Sequence, residues 1–208
     1  LNKNEVEDNG LIKIDILSNK GLSQLWDISK QPILDYDFND KNIYDYLSKG
    51  ENLGITYGES RGMRKIFMEM KPRNIHDIAT ALALIRPAAA KNGQKFNFLK
   101  DYHFTNKVER EKYVIYDDDA IESISKLLRV SNSEADIYRK AFAKNKFYKK
   151  KDFRNRLEFV QRNMSIDDID LIIERLEGLQ SYSFCKSHAY SYAYLLYVLV
   201  YHKFYNPL

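Results

Sequence analysis

From Ser60 onward, the sequence carries hydrophobic residues at helical spacing and almost no pattern that is typical of β-strands. The segment from Asn74 to Ile85 shows this most clearly, because its apolar residues recur every three or four positions and would share one face of a helix. The segment "LIKIDIL" (residues 11–17), near the N-terminus, instead has the composition and alternation of a strand. Together these patterns predict a mainly α (α+β) fold with a small strand-containing part at the N-terminus.

Local signals indicate where the predicted helices begin and end. Glu134 lies three residues after Ser131, and Asp168 lies three residues after Ser165. This spacing is typical of the residues that cap the start of a helix. The carboxylates of residues 117–119 favour the start of a helix, where the helix dipole is positive. Helices are predicted at 21–30, around 43–47, at 61–70, 74–85 and 117–128, after Ser131, and at 165–179 and 187–204. The polar segment 91–112 is predicted to be an irregular loop.

Composition excludes several classes of protein. The single cysteine, Cys185, cannot form an internal disulfide or supply a cysteine-based zinc site. The most apolar window, residues 189–201, is shorter than the roughly 20 residues of a membrane helix, and the polar start is unlike a signal peptide. We therefore expect a cytoplasmic protein with no membrane partner. Because the sequence starts without Met, directly ahead of the strand-like segment, we also expect it to be a piece of something longer.

Lys13 and Asp15 lie two residues apart on the predicted strand and so face the same side of it. A carboxylate beside a lysine can bind Mg²⁺ and a phosphate group. The same pair can equally form an ion pair on an exposed strand face, and spacing alone leaves both interpretations open.

The segment from Arg139 to Arg156 contains nine Lys or Arg residues and a single acidic residue, Asp152, with aromatic residues between them. Such a cluster predicts binding to phosphate groups with strongly salt-dependent affinity. The alternative is a solvated helix face. We favour phosphate binding, because so many like charges repel one another without a polyanionic partner.

The C-terminal segment combines two features. Tyrosines recur at helical spacing at positions 190, 194, 197, 201 and 205, which predicts one helix face that packs in the core with its hydroxyls at the edge. Just before them, Tyr182, Lys186 and His188 crowd a predicted loop-to-helix junction, where unpaired backbone N–H groups attract anions. A phosphate or base contact and a purely structural role are both open for these three residues.

Four segments, taken in order, resemble the C-family DNA polymerases, the family of the bacterial DNA polymerase III alpha subunit. "GLIKIDIL" is similar to the family's palm strand with the third catalytic aspartate, and "GESRGMRKIFMEMKPRNIHDIATALALIRP" to its "ES-x-GM" segment. "EADIYRKAFAKNK" resembles the family's basic motif, and "YSFCKSHAYSYAYLLYVLVYHKFYNP" resembles the end of the fingers. The likeness extends over nearly the whole chain. The sequence departs from the family's pattern at three places, which are "RPAAA", "YDDD" and Lys140, where the family has arginine.

The resemblance implies roles for particular residues. Asp15 would be the catalytic residue and a ligand of Mg²⁺, of which the complete active site holds two ions. The residues expected to contact the nucleotide are Lys13, Arg139, Lys140, Tyr182, Lys186 and His188. The residues expected to contact DNA are Arg61, Lys144, Lys146, Lys149, Lys150 and Lys151.

The resemblance also implies a domain organisation and partners. Residues 1–35 would be the C-terminal part of a palm domain, and residues 36–208 a helical fingers domain. The expected partners are primer–template DNA, deoxynucleoside triphosphates, the remaining palm and thumb, the sliding clamp and other replisome proteins. The chain alone is expected to be inactive, because one carboxylate cannot hold two metal ions. A non-catalytic helical nucleic-acid-binding domain and a helical protein-interaction domain are the alternatives.

Overall fold

The computed structural model describes residues 5–6, 9–11, 14, 18–85, 98–99, 101–102, 115–177 and 184–207. In these ranges helices dominate, and an isolated parallel bridge between Tyr116 and Phe184 accounts for the strand-type pairing. The mainly α prediction is confirmed. The helices are α1 (Lys20–Ile28), α2 (Lys41–Ser48), α3 (Arg61–Met70), α4 (Ile75–Leu84), α5 (Asp117–Leu128), α6 (Asn132–Ala143), α7 (Phe147–Val160), α8 (Ile166–Glu177) and α9 (Lys186–Tyr205), with a short 3-10 helix at Ile33–Asp35.

The N-terminal segment is described only in part. Lys13 and Asp15 lie outside the described residues, so the structure does not place them. Leu11 and Ile14 belong to the described part, where they are not in a strand and are 56% and 79% exposed. The strand, and with it the palm segment, remains a prediction.

Capping residues begin the helices largely where the sequence predicts. The side chains of Asn74 and Ser131 accept hydrogen bonds from the backbone N–H of Asp77 and Glu134 at the starts of α4 and α6. The bounds of α3 and α5 agree with the predicted ones.

The predicted loop at 91–112 is wrong where that segment is described. Phe98, Leu99 and Asp101 are helical, and Phe98, Leu99 and Tyr102 are buried in a hydrophobic core. The polar residues that surround these three in the sequence obscured their apolar spacing.

Helices α1 to α4 pack with α9 around the first of two hydrophobic cores. Two glycines lie where a side chain would meet a neighbouring element. A Cβ at Gly62 of α3 would lie 2.7 Å from Ile85 Cδ1, and a Cβ at Gly21 of α1 would lie 3.1 Å from Thr56 Cγ2 and 3.2 Å from Leu195 Cδ2 of α9. These distances are shorter than an ordinary van der Waals contact, so a larger residue at either position would require the neighbouring side chains to shift.

Helices α5 to α8 surround the second core. Its centre contains Phe142 and Phe153, whose rings meet edge to face with centroids 5.2 Å apart. None of the described helices combines the length and the apolar composition that a membrane crossing requires.

The tyrosine face of α9 packs against the first core as predicted, although Tyr205 remains 46% exposed. Tyr197 is fully buried. Its hydroxyl donates to the carbonyl of Asp37 at 2.9 Å and accepts from the backbone N–H of Asp40 at 3.2 Å. The helix is thereby tied to the loop before α2.

Changing Tyr197 to Phe is expected to lower the free energy of unfolding by about 1–3 kcal/mol, because it leaves two backbone groups without their partner. Urea unfolding of the purified protein measures the change. Tyr205→Phe is the matched control, since Tyr205 lies on the same helix and donates to the Asp40 carboxylate from an exposed position. Equal effects of the two substitutions would contradict the role of Tyr197.

The same tyrosine predicts sensitivity to alkali. Burial, with nearby Asp40 and Asp37, raises the pKa of Tyr197 from 10.0 to about 12. Since the folded state favours the protonated hydroxyl, this contribution to stability is complete below pH 10 and is lost as the pH rises toward about 12. Tyr197→Phe should lose less stability over that interval, as measured by urea unfolding at each pH.

Candidate functional site

The N-termini of α5 and α9 lie side by side. The backbone N–H of Asp117 donates to the carbonyl of Phe184 at 3.2 Å, next to the parallel bridge between Tyr116 and Phe184. The backbone N–H of Lys186 donates to Asp118 Oδ2 at 2.8 Å. Two segments that are far apart in sequence therefore bring the positive ends of two helix dipoles to one place.

The three consecutive aspartates at the start of α5 point to different partners. Asp117 pairs with Arg139 at 3.2 Å, and Asp118 accepts from the backbone of Lys186. Asp119 caps the helix by accepting from the N–H groups of Ile115 and Tyr116. Burial nevertheless raises the pKa of Asp119 above its ordinary value.

The predicted position of these aspartates at a helix N-terminus is confirmed, but sequence reasoning missed the role of Asp117 and Asp118 in joining α6 and α9 to α5. A helix start needs fewer than three adjacent carboxylates. The additional carboxylates were the sequence signal that some of them contact other helices.

Arg139 projects from α6 toward this junction. Its Nε lies 2.7 Å from Asp136 Oδ1 and its Nη1 lies 3.2 Å from Asp117 Oδ1, and its side chain is 16% exposed. Partial burial acts to raise the pKa of Asp136, but hydrogen bonds from Lys140 and Arg139 outweigh it and lower that pKa. A guanidinium carries five N–H donors, and these contacts use two, so the carboxylates orient the group and leave donors for an anion.

The other predicted nucleotide contacts occupy nearby exposed positions. Lys140 contacts Asp136 Oδ2 at 2.7 Å, and its side chain is 60% exposed. Lys186 Nζ lies 5.9 Å from the centroid of the Tyr116 ring. His188 is exposed and lies beside the rings of Phe184 and Tyr192. Tyr182 lies outside the described residues.

A cavity of about 300 Å³ opens between the start of α3, the end of α4 and the first half of α9. The rings of Phe184 and Tyr192 stack with an interplanar angle of 11°, and the ring centroids of Tyr57 and Tyr192 are 4.6 Å apart. Sequence reasoning did not identify this cavity, because its walls come from separate segments. The lining residues are Tyr57, Glu59, Ser60, Met63, Leu82, Ile85, Phe184 and Tyr192.

Most cations of the basic segment 139–156 pair with carboxylates, some of which are neighbours on the same helix and others of which come from different helices. This corrects the sequence argument that its charges need a polyanion to avoid repulsion, because the sequence does not show which acidic residues approach. The ion pairs beyond those of Arg139 and Lys140 are Lys149 with Asp152, Lys150 with Glu177, Arg154 with Glu158 and Asp170, and Arg156 with Glu134. Of the predicted DNA contacts, Lys150 is mostly buried, with a side chain that is 13% exposed.

The remaining cations of the predicted DNA contacts differ from these. Lys144, Lys146 and Lys151 are exposed and form no ion pair with the described residues. Arg61 is also exposed, at the first position of α3 and next to Ser60 of the cavity. DNA binding by these residues remains a prediction.

No metal-binding cluster occurs in the described part of the chain: no group of three or more His, Cys, Asp or Glu residues there could hold an ion. Asp15, the residue expected to bind Mg²⁺, is outside that part. The metal expectation therefore depends on the sequence alone.

Comparison with known proteins gives a consistent result. A family model described as the bacterial DNA polymerase III alpha subunit finger domain matches residues 18–165. DNA polymerase III subunit alpha of Aquifex aeolicus is 30% identical over 98% of this chain and 20% of its own length. The Thermotoga maritima protein of that name is 29% identical over 96% of this chain and 24% of its own length. The Bacillus subtilis protein is 28% identical over 98% of this chain and 20% of its own length. The chain thus spans between a fifth and a quarter of these relatives.

Proposed function

Because this chain belongs to the bacterial DNA polymerase III alpha subunit finger-domain family, we propose that it forms the fingers of a replicative DNA-directed DNA polymerase. In this role it binds an incoming deoxynucleoside triphosphate and the template beside the primer end. The polymerase adds deoxynucleotides to a primer 3′ end by phosphoryl transfer.

The observation that carries the proposal is the junction of α5, α6 and α9. The Arg139 guanidinium pairs with Asp117, and the backbone N–H of Lys186 donates to the adjacent Asp118. The Lys186 ammonium lies 5.9 Å from the Tyr116 ring, so basic residues from distant segments lie near two helix N-termini. A triphosphate needs clustered cations and N–H donors. Lys140, His188 and Tyr182 would add contacts around it.

The adjoining cavity suits the planar part of a nucleotide. Its aromatic walls offer stacking surfaces, and the Glu59 carboxylate can accept a hydrogen bond from an amino group of a base. Since His188 lies beside two of its rings, the cavity and the cationic junction can serve one ligand.

Asp15 is proposed as the catalytic residue and a ligand of Mg²⁺, together with carboxylates from the rest of the palm, and Lys13 as a phosphate contact next to it. When bound, two metal ions align the primer 3′-oxygen with the α-phosphate and neutralise charge. The residues of the fingers contribute binding and orientation.

The proposed partners are primer–template DNA, deoxynucleoside triphosphates, the remaining palm and thumb, the sliding clamp and other replisome proteins, with a cytoplasmic location. The exposed lysines that form no ion pair within the described part of the chain also favour a second candidate, a non-catalytic helical nucleic-acid-binding domain. Primer extension distinguishes the two, because a pure binding domain has no extension to lose.

The proposal is tested by primer extension with the full-length protein, Mg²⁺ and deoxynucleoside triphosphates. Lys186→Ala is expected to raise the KM for the nucleotide roughly 10-fold, since a hydrogen bond to a charged group contributes about 1.5–3 kcal/mol. Lys126→Ala is the control, because Lys126 is an exposed lysine on α5 that pairs with Glu122. Absence of extension by the wild-type protein would reject the polymerase proposal, and an unchanged KM in Lys186→Ala would remove Lys186 from the site.

A further inference from the structure

Two adjacent aromatic side chains on the first turn of α7 are exposed to solvent. Phe147 is 71% exposed and Tyr148 is 86% exposed, and their ring centroids are 5.9 Å apart with an interplanar angle of 77°. Helix α7 nevertheless has an internal face, on which Phe153 and Leu157 are fully buried. The exposed pair belongs to neither hydrophobic core, so its ring faces are available for contact with a ligand.

Three lysines of the basic segment that form no ion pair with the described residues lie close in sequence to the same aromatic pair. Lys144 and Lys146 lie in the turn before α7, and Lys151 follows Phe147 by one helical turn, so that both project from one side of the helix. Lys149 and Lys150 directly follow Tyr148 but pair with Asp152 and Glu177, and the other paired cations of the segment lie farther along α6 and α7. Aromatic surface and uncompensated positive charge thus coincide at one place.

The turn that presents this surface is held in a defined conformation. Asn145 has a left-handed backbone with φ of 52°, and the N–H groups of Lys146 and Asn145 donate to the carbonyls of Ala141 and Phe142 at 2.8 and 3.1 Å. This is the Schellman arrangement at the end of a helix. Lys150 holds the turn further by donating to Asn145 Oδ1 at 2.7 Å and to Glu177 at 2.8 Å. Little ordering of the turn is needed on binding.

We propose that Phe147 and Tyr148, framed by Lys144, Lys146 and Lys151, form a stacking platform for the unpaired bases of single-stranded DNA. Unpaired bases expose faces that can stack on aromatic rings, whereas bases inside a duplex are already stacked on one another. The lysines suit the phosphates of the same strand. An apolar protein partner would leave these charges uncompensated, so single-stranded nucleic acid fits the surface better.

The platform rests on the proposed function and extends it to the unpaired template strand next to the primer terminus. Lys144 follows Lys140 by one turn at the C-terminal end of α6, so the platform lies beyond Arg139 and Lys140 along the same helix. A template strand that passes the nucleotide site can reach it.

The test is binding of a labelled single-stranded oligonucleotide to the full-length protein at several salt concentrations. Changing Phe147 and Tyr148 together to Ala is expected to weaken binding about 10- to 100-fold, the effect of losing base stacking. Because no charge is removed, the slope of affinity against salt should stay the same. Changing Lys144, Lys146 and Lys151 together to Ala should instead reduce that slope by about 2, since three phosphate contacts on a single strand are lost.

Two further variants make the result specific. Phe159→Ala is the matched control, because Phe159 lies on α7, is also 71% exposed and stands twelve residues beyond Phe147; it should bind like the wild type. Phe147→Trp should retain binding, whereas Phe147→Leu, which keeps the apolar character but loses the aromatic face, should not. Circular dichroism checks that every variant is folded.

Three results would overturn the platform. The first is a double alanine variant that binds the oligonucleotide as well as Phe159→Ala does. The second is a Phe147→Leu variant that binds like the wild type, which would indicate a surface that needs apolar character and no aromatic face, as in protein docking. The third is a wild-type protein that does not bind the oligonucleotide. Primer extension by the same preparation separates the two proposals. Extension without single-strand binding would reject the platform alone, and loss of both would reject the polymerase function as well.

Discussion

Changing Asp15 to Asn in the full-length protein is expected to reduce the rate of primer extension by about 10³-fold or more. The amide keeps the size of the side chain but loses the negative charge that a Mg²⁺ ligand supplies. Metal ions contribute several kcal/mol to transition-state stabilisation, and about 1.4 kcal/mol corresponds to a tenfold change in rate. Affinity for primer–template DNA should stay close to that of the wild type, because the residues proposed to bind DNA are unchanged.

The control for this substitution is Asp35→Asn. Asp35 lies in the same proposed palm segment, in the short 3-10 helix, and is exposed. Extension should be unchanged in this variant. If Asp15→Asn extended primers at the wild-type rate, Asp15 could not be the catalytic metal ligand, whatever the result for the fingers.

Changing Arg139 to Ala is expected to lower the rate of single-nucleotide incorporation about 100-fold, because one well-placed donor to developing charge contributes a factor of roughly 10² to 10³. Arg139→Lys should give an intermediate rate, since lysine keeps the charge but not the planar fork that binds phosphate oxygens. Single-turnover incorporation at increasing nucleotide concentration separates the loss in binding from the loss in rate.

Arg139 also has a structural role, and the control must account for it. Its removal takes away the ion pairs of Arg139 with Asp117 and Asp136, although Lys140 still pairs with Asp136, and this is expected to lower stability as well. Arg154 is a suitable match, because it too pairs with two carboxylates, Glu158 and Asp170, but from the middle of α7. Arg154→Ala should incorporate nucleotide like the wild type. Equal losses in the two variants would show that Arg139 acts only through stability.

The aspartates at the start of α5 connect the proposed binding residues to one another. Asp117 orients the guanidinium of Arg139, and Asp118 holds the first residue of α9, Lys186. These carboxylates are positioning residues that need not touch a ligand themselves. Their presence explains how a site assembled from three helices keeps a defined geometry.

Several features of the protein follow from the sequence alone, because they depend on neighbours within a few residues. Helical spacing and caps such as Ser131 predicted most helices, as in α3 and α5. The tyrosine spacing predicted the packed face of α9. The order of the motifs was sufficient to identify the family that the family model confirms.

Only the tertiary structure determined which charges remain available. Sequence order does not show that Glu177 neutralises Lys150 or that Glu134 neutralises Arg156, because these partners come from other helices. Nor does it show that Asp117 and Asp118 join Arg139 and the backbone of Lys186 to the start of α5, or that Phe147 and Tyr148 remain exposed. Helix formation is governed by local spacing, whereas ion pairing and burial depend on which helices pack together, and that packing joins residues far apart in the chain.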